Sequence, residues 1–308
     1  MHVMVSGANG YLGSVLVPAL LASPQVERVT ALVREARRFE NTVFLAGCRL
    51  VDMEDCLRDG YDMADVDVFC HLAACRDGTR PAEIAASMAL AGDLFAAAHR
   101  AEVKGIINAS SQAVYGVSQL PWSEETPAAP VTPYGIAKYA TELLLNNRFG
   151  LATPLGGLSL RFAKLVGPAP AFRVAPSELP HVLAHCALSG QAITLQGEGR
   201  QRLDLMDVRD AAAAIVALLA LPTERWPGVL NVGSGRSVTV AGVAQRVSAI
   251  ASTGHGRPLH YQLGAPEAKL RDFGMSITRL ENLLGWRAHY TLDQTIADVL
   301  AVLARKKP

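Results

Sequence analysis

Short apolar runs alternate with longer stretches of helical periodicity along the first half of the chain. The apolar runs cover residues 2–6, 28–33, 48–53, 67–73, 105–111 and 157–163. Apolar residues recur at helical spacing over residues 11–23 and 85–101, and a further helix follows the proline-rich loop 120–133. Short strands separated by helices are typical of parallel β-α-β units. The pattern therefore predicts an α/β fold with a doubly wound parallel sheet.

The rhythm changes after about residue 165. Prolines punctuate residues 168–180, and the elements that follow are shorter and more mixed. We expect two domains, a dinucleotide-binding domain of residues 1–165 and a smaller mixed α/β substrate lobe of residues 166–308. Parts of 205–235 are expected to return to the first domain.

Composition narrows the range of functions. The chain has 308 residues, 50% of them hydrophobic and 19% charged, with a net charge of +1. Such a balance gives no general case for nucleic-acid binding. The longest apolar run, 211–221, is too short to span a bilayer, and the N-terminus does not read as a signal peptide, so a cytoplasmic location is expected. The five cysteines form no CxxC pair, which argues against disulfides and a metal site.

A glycine-rich turn follows the first predicted strand. Gly7, Gly10 and Gly13 occupy it at the opening of the first helix, where backbone N–H groups and the helix dipole can meet a pyrophosphate. The spacing is GxxGxxG instead of the GxGxxG of many dehydrogenases. We predict a Rossmann-like dinucleotide site formed by Gly7, Asn9, Gly10, Tyr11, Leu12 and Gly13.

The end of the second strand predicts which dinucleotide is bound. The strand ends in Arg34, with Arg37 and Arg38 close behind, where an acidic residue would hold the ribose 2′-hydroxyl of NAD. Guanidinium groups suit a 2′-phosphate, so NADP is favoured. NAD stays open as the alternative, since Glu35 lies beside these arginines. Asp52 and Met53 follow the third strand and are expected near the adenine.

Eight ordered segments carry a family resemblance. They read "GANGYLG", "FCHLAA", "ASSQAVYG", "PYGIAK", "LRFAKLVGP", "LMDVRDAA", "NVGSGRSVTV" and "LLGW". Together they resemble the extended short-chain dehydrogenase/reductase family, in particular its NAD(P)-dependent nucleotide-sugar epimerases, dehydratases and 4-ketoreductases. The similarity covers nearly the whole chain. It implies further cofactor contacts from Leu72, Ala73, Ala74 and Ala109.

The resemblance also implies a catalytic set of Ser111, Tyr134 and Lys138. Tyr134 and Lys138 are four residues apart and so share one helix face. A free tyrosine titrates near ~10, and a general base works best when its pKa is near the operating pH. Lys138 would favour the phenolate and hold the nicotinamide ribose, so Tyr134 and Lys138 also count as cofactor contacts. Ser111 would fix the substrate oxygen.

Departures from the family pattern concern the substrate half. Family members that eliminate water from the sugar carry Thr-Asp-Glu where this chain has Ser111, Gln112 and Ala113, which argues against a dehydratase. Lys164 stands where an Asn usually meets the substrate. It either grips a diphosphate or a carboxylate, or extends into solvent. The family's arginine is displaced by one position, to Arg202, with Arg200 nearby, and either could bind the pyrophosphate of a nucleotide sugar. We expect Ser111, Gln112, Lys164 and Arg202 to contact the substrate.

The predicted activity is hydride transfer at C4 of a nucleotide-linked sugar, with an epimerase slightly favoured. The alternatives are an NADPH-dependent 4-ketoreductase, a reductase of a non-sugar carbonyl, and a non-catalytic dinucleotide-sensing protein. Neither nucleic acid nor a membrane is an expected partner. The apolar helices 85–101 and 138–147 suggest a homodimer.

Overall fold

The computed structural model describes residues 1–58, 63, 65–75, 79–149, 156–170, 178–266 and 271–305. The strands of this described part are β1 (His2–Ser6), β2 (Arg28–Val33), β3 (Arg49–Asp52), β4 (Val68–His71), β5 (Gly105–Ser111), β6 (Gly156–Phe162), β7 (Lys164–Val166), β8 (Ile193–Leu195), β9 (Arg202–Asp207), β10 (Val229–Val232), β11 (Ser237–Thr239) and β12 (Tyr261–Leu263). Its helices are α1 (Gly13–Leu21), α2 (Met53–Arg58), α3 (Pro81–Arg100), α4 (Pro133–Phe149), α5 (Leu179–Ser189), α6 (Val208–Leu218), α7 (Val240–His255), α8 (Thr278–Leu284) and α9 (Leu292–Arg305).

Seven parallel strands form the main sheet in the order β10-β6-β5-β4-β1-β2-β3. Every residue of the interior strand β1 is buried, as expected for a strand inside a parallel sheet. The order reverses between β1 and β4, which is the switch point where α/β sheets bind their ligands. The predicted doubly wound parallel sheet is confirmed.

Contacts divide the chain into two compact units. The first unit comprises residues 1–118, 124–162 and 212–232, and contains the seven-stranded sheet. The second unit comprises residues 119–123, 163–211 and 233–308. Compact units are not yet independently folding domains, so the domain boundaries expected from the sequence stay a prediction.

Each unit has its own apolar core. In the first unit, buried residues of α3, among them Leu94 and Phe95, pack with Met4 and Phe69 of the sheet. Helix α3 begins at Pro81, which suits the first turn because its missing N–H would have no helical partner there. In the second unit, the small sheets β11-β9-β7 and β12-β8 accompany a core made largely by α5, α7 and α9.

Candidate active site

The carboxyl ends of neighbouring strands bring most of the predicted cofactor residues to one edge of the main sheet. The glycine turn follows β1, Leu72 and the residues after it follow β4, and Ser111 ends β5. These strands are adjacent and parallel, in the order β5-β4-β1-β2-β3, so their carboxyl ends share an edge. Arg34 follows β2 and Asp52 ends β3 on the same edge.

The glycine turn is built for close approach. Gly7 has a φ of +70°, and a Cβ there would lie 2.7 Å from the backbone N of Ala73. A Cβ on Gly13 would lie 2.7 Å from the Cα of Ala8. The turn closes with hydrogen bonds from the N–H of Gly10 to Gly7 (2.9 Å) and from the N–H of Ser14 to Gly10 (2.9 Å). The glycine turn, directly before α1, therefore forms a cradle that fits the pyrophosphate of a dinucleotide.

The other residues of the turn surround this cradle. Asn9, Tyr11 and Leu12 are half-buried, and Gly10 is exposed. No acidic residue lies in the first turn of α1, so nothing in that turn opposes an approaching anion.

The end of β2 presents charged side chains to solvent. Arg34, Arg37 and Arg38 are exposed. Glu35 has a left-handed backbone (φ 56°), and its carboxylate pairs with Arg38 at 2.5 Å. The carboxylate of Asp52 accepts the N–H of Ala36 at 3.1 Å and of Glu54 at 2.9 Å, and these hydrogen bonds lower the pKa of Asp52.

Met53 differs from Asp52 in its surroundings. Its side chain is 5% exposed and packs in the core of the first unit. A contact between Met53 and a cofactor would therefore have to come from its backbone.

Ser111 ends β5, whereas Tyr134 and Lys138 lie on α4. The first turn of α4 packs against the turn after β5. A Cβ on Gly135 would lie 2.6 Å from the carbonyl oxygen of Ala113, so glycine permits this close packing. The Oγ of Ser111 accepts the N–H of Ala113 at 3.2 Å, which leaves its own O–H able to donate. Lys138 is buried, and its Nζ donates to the carbonyl of Ala109 at 2.5 Å.

The same ammonium lies near the predicted acid/base. Lys138 Nζ is 5.8 Å from the centre of the Tyr134 ring, and Tyr134 itself is half-buried. A positive charge at this range favours the ionised form of a phenol. Ala109 thus enters the site through its carbonyl oxygen, which fixes Lys138.

A small cavity is lined both by predicted cofactor contacts that follow β4 and by the predicted catalytic residues on α4. Ala73 and Ala74 line it together with Tyr134, Lys138 and His71. His71 is buried, and its Nδ1 lies 2.9 Å from the Oγ of Ser6. Burial, reinforced by the positive charge of Lys138, lowers the pKa of His71 to about 3. The histidine is therefore neutral at neutral pH.

A buried ion pair lies further along α4. Glu142, four residues after Lys138, accepts hydrogen bonds from Arg161 of β6 at 3.0 and 2.7 Å and from the Oγ of Ser110. Burial alone would lower the pKa of Arg161, but the hydrogen bonds and charge of Glu142 outweigh it and raise that pKa. The guanidinium also lies 4.7 Å from the centre of the Tyr115 ring.

The predicted substrate residues are distributed differently. Gln112 is 3% exposed, and its side-chain oxygen has no hydrogen-bond partner among the described residues. Lys164 is half-buried and lines a cavity of about 380 Å³ in the second unit. Arg202 is exposed, and its neighbour Leu203 lines that cavity instead.

Sequence reasoning assigned no role to several polar residues of the first unit. His71 lies in the segment "FCHLAA", which was used only for the resemblance. Asn108, one of the residues lining the small cavity, is buried, and its side-chain oxygen has no hydrogen-bond partner among the described residues. The pair Glu142–Arg161 was also not predicted. Arg161 lies in the segment "LRFAKLVGP", which was interpreted only for Lys164, and no spacing in the sequence relates it to Glu142.

Within the described part of the chain, no three His, Cys, Asp or Glu side chains group as a metal ion would require. None of the helices the structure describes is long and apolar enough to cross a membrane.

The fold and the site define a class of protein. A doubly wound sheet with a glycine turn after its first strand, and a Ser-Tyr-Lys set on the fifth strand and the following helix, is typical of dinucleotide-dependent short-chain oxidoreductases. Residues 3–233 match the family described as the NAD dependent epimerase/dehydratase family, and the chain belongs to it. The resemblance inferred from the motifs is confirmed, as is the expectation of an NAD(P)-dependent enzyme type.

The relatives agree with this assignment over nearly the whole chain. An uncharacterized UDP-glucose epimerase, YtcB, of Bacillus subtilis (strain 168) is 26% identical over 99% of this chain and 98% of that protein. A dTDP-glucose 4,6-dehydratase of Streptomyces niveus is 27% identical over 93% and 88%. The structure of MoeE5 in complex with UDP-glucose and NAD has a TM-score of 0.82 at 25% identity, covering 99% of both chains.

Proposed function

We propose that this chain moves a hydride at C4 of a nucleotide-linked sugar, with epimerisation at that carbon as the favoured outcome. The observation that carries the proposal is the position of Lys138. Its ammonium is held on the Ala109 carbonyl, 5.8 Å from the Tyr134 ring, beside a cavity that Ala73 also lines. A tyrosine next to a fixed positive charge, at the carboxyl edge of a dinucleotide-binding sheet, is suited to acid/base work on a hydroxyl.

The chain's own residues divide the work. A nicotinamide dinucleotide, when bound, takes up and returns a hydride. Tyr134 removes the proton of the sugar hydroxyl and later returns one, and Lys138 stabilises its phenolate. Ser111 donates its O–H to the sugar oxygen, since its Oγ already accepts the N–H of Ala113. The glycine turn from Gly7 to Gly13 holds the pyrophosphate.

Elimination of water is a weaker candidate, although one relative is a 4,6-dehydratase. That reaction needs an acid and a base beside the substrate. Gln112 and Ala113 stand at the two positions where family dehydratases carry carboxylates, and Gln112 is buried. We therefore favour reactions that keep the sugar's oxygens.

Epimerase and 4-ketoreductase use the same residues, so an assay must separate them. A 4-ketoreductase oxidises added NADPH in proportion to a 4-keto sugar nucleotide. An epimerase retains its cofactor and shows no net turnover of it. We expect interconversion of C4 epimers of UDP- or dTDP-sugars without consumption of NAD(P)H.

NADP is the cofactor we propose, with NAD as the alternative. Arg34 is exposed at the end of β2, and the nearby carboxylate of Glu35 is engaged by Arg38 at 2.5 Å. A guanidinium next to an engaged carboxylate suits a 2′-phosphate. The structure of MoeE5 holds NAD, so the two must be compared directly. Arg34→Ala should weaken NADP(H) about tenfold or more and leave NAD(H) nearly unchanged. Equal affinity of the unmodified protein for both cofactors would contradict the phosphate interpretation.

The catalytic roles are tested by removing one group at a time. Tyr134→Phe should lower kcat by about 10²–10⁴-fold, because general acid–base catalysis contributes that much. Ser111→Ala should lower it as well. Tyr139→Phe, on the same helix and also half-buried, is the matched control and should keep its activity. Turnover within a few-fold of the parent in both Tyr134→Phe and Ser111→Ala would refute the mechanism.

A homodimer and a cytoplasmic location stay predictions. The dimer is supported by apolar side chains on the outer face of α4, where Ile136 is 53%, Leu143 51% and Leu144 37% exposed. Exposed apolar residues clustered on one helix suggest a protein partner.

A further inference from the structure

The cavity of about 380 Å³ in the second unit has the size and the walls of a ligand pocket. Most of its lining is apolar, including Leu203, Val240 and Phe273. Among the described residues that line it, the charged ones are Lys164 and Glu178. A largely apolar pocket with an ammonium and a carboxylate at one side suits a planar aromatic group whose negative charge lies at the lysine, provided that the ligand takes the place of Glu178 beside Lys164.

The register of the three-stranded sheet explains which residues reach this cavity. Strand β7 runs parallel to β9, with Lys164 opposite Leu205. Leu203 is two residues before Leu205, so all three side chains share one face of the sheet. Arg202 lies on the opposite face, where it is exposed. The displaced arginine, Arg202, is therefore directed away from the cavity. The cation that lines the cavity is Lys164, from the neighbouring strand β7.

The ammonium of Lys164 is held loosely. Its Nζ is 3.7 Å from the Oε2 of Glu178, which is longer than a charge-assisted hydrogen bond. It also lies 5.3 Å from the centre of the Phe273 ring, within cation–π range. These two contacts hold the Lys164 side chain, which is 34% exposed, over the cavity. An arriving anion can therefore replace Glu178 as its partner.

We propose that Lys164 binds the diphosphate of the nucleotide sugar and replaces the displaced arginine. This inference rests on the proposed function, because it assumes a nucleotide-linked substrate. Every nucleotide sugar carries a diphosphate, whichever sugar it contains. The apolar wall of the cavity suits the nucleobase better than the hydroxylated sugar. A sugar carboxylate is the other source of an anionic oxygen, and the experiment separates the two.

The test measures binding by calorimetry, independently of turnover. The probes are UDP, uridine, UDP-glucose and UDP-glucuronic acid, in the presence of cofactor. Lys164→Gln should weaken UDP and UDP-glucose about 10- to 100-fold and leave uridine within about twofold, since a hydrogen bond to a charged group contributes that much. Lys164→Arg should restore most of the loss. Added salt should narrow the difference between parent and Lys164→Gln, because the lost contact is ionic.

Arg246→Gln is the matched control, since Arg246 is an exposed cation of the second unit outside this cavity. It should bind every probe like the parent protein. Unchanged UDP affinity in Lys164→Gln would overturn the proposal, and so would a loss confined to UDP-glucuronic acid, which would assign Lys164 to the sugar carboxylate. A large loss in Arg202→Gln with none in Lys164→Gln would also overturn it. Tight, Lys164-dependent binding of UDP without turnover of any UDP- or dTDP-sugar would refute the proposed function and leave this inference standing.

Discussion

Removing one partner of the buried Glu142–Arg161 pair should be among the most destabilising single changes in the first unit. Glu142 is 1% and Arg161 5% exposed, and two hydrogen bonds of 3.0 and 2.7 Å join them. The pair connects α4 to β6, and Ser110 of β5 donates to the same carboxylate. Arg161→Met fills much of the space of the arginine but leaves the Glu142 carboxylate in the interior without its counter-charge.

The expected loss is about 3–5 kcal/mol in the free energy of unfolding, the usual cost of breaking a buried ion pair from one side. The Ser110 hydrogen bond offsets a part, so the lower end of this range, about 3 kcal/mol, is expected. Domains are stable by about 5–15 kcal/mol, so the variant should fold but unfold at clearly lower urea concentration. The double variant Glu142→Leu, Arg161→Met should recover much of the loss, because no charge is then left unpaired.

Urea unfolding followed by circular dichroism measures these free energies. The salt bridge between Arg246 and Asp293 supplies a control, since the two side chains are 48% and 54% exposed. Exposed pairs of this kind contribute about 0–1 kcal/mol, so breaking it with Arg246→Met should have little effect. A loss in Arg161→Met below about 1 kcal/mol, the range of an exposed pair, would refute the reasoning. So would a double variant no more stable than the single one.

The first unit carries three further predictions. The pKa of His71 is lowered to about 3 from 6.5, so the unfolded chain takes up a proton that the folded protein does not. This residue should therefore cost up to about 1.4 kcal/mol of stability per pH unit as the pH falls through the interval between those two values. His71→Gln should flatten that slope in unfolding measured across this range. Gly13→Ala should reduce dinucleotide affinity about tenfold or more in fluorescence titration, because its Cβ would collide with the backbone of the glycine turn; unchanged affinity would contradict the cradle. Leu143→Glu with Leu144→Glu should convert a dimer to a monomer in sedimentation, and a parent protein that is already monomeric would exclude this interface.

The main sheet was predictable because its strands are short, apolar and separated by helices. Strand β1 coincides with the apolar run 2–6, since a buried parallel strand needs apolar residues on both faces. The run 48–53 was predicted as one strand, yet Met53 already begins α2. Its apolar side chain suits a core position in either element, and periodicity over so few residues does not distinguish them.

The local parts of the candidate site were also predictable. Tyr134 and Lys138 share a helix face because they are four residues apart. The glycine turn directly follows β1, so a short stretch of sequence encodes it as well. The cavity that includes His71 and Asn108 could not be predicted. It joins residues from β4, β5, α3 and α4, and its composition depends on how these elements pack. The ion pair of Glu142 with Arg161 likewise depends on tertiary contacts between a helix and a strand.

The sequence departs from the family pattern at two positions of the predicted substrate site. The register of the three-stranded sheet shows that both departures concern the same cavity. Lys164 in place of an asparagine and an arginine displaced to position 202 look independent, because they lie far apart along the chain. Because side chains alternate between the faces of a strand, a shift of one residue moves the arginine to the other face and puts Leu203 into the cavity. Strand β7 lies beside β9, so a cation gained at Lys164 enters the same cavity from which the arginine was lost. Restoring the arginine as Leu203→Arg should therefore make Lys164 dispensable for UDP binding, and a double variant that still binds UDP as weakly as Lys164→Gln alone would show that the two changes do not compensate.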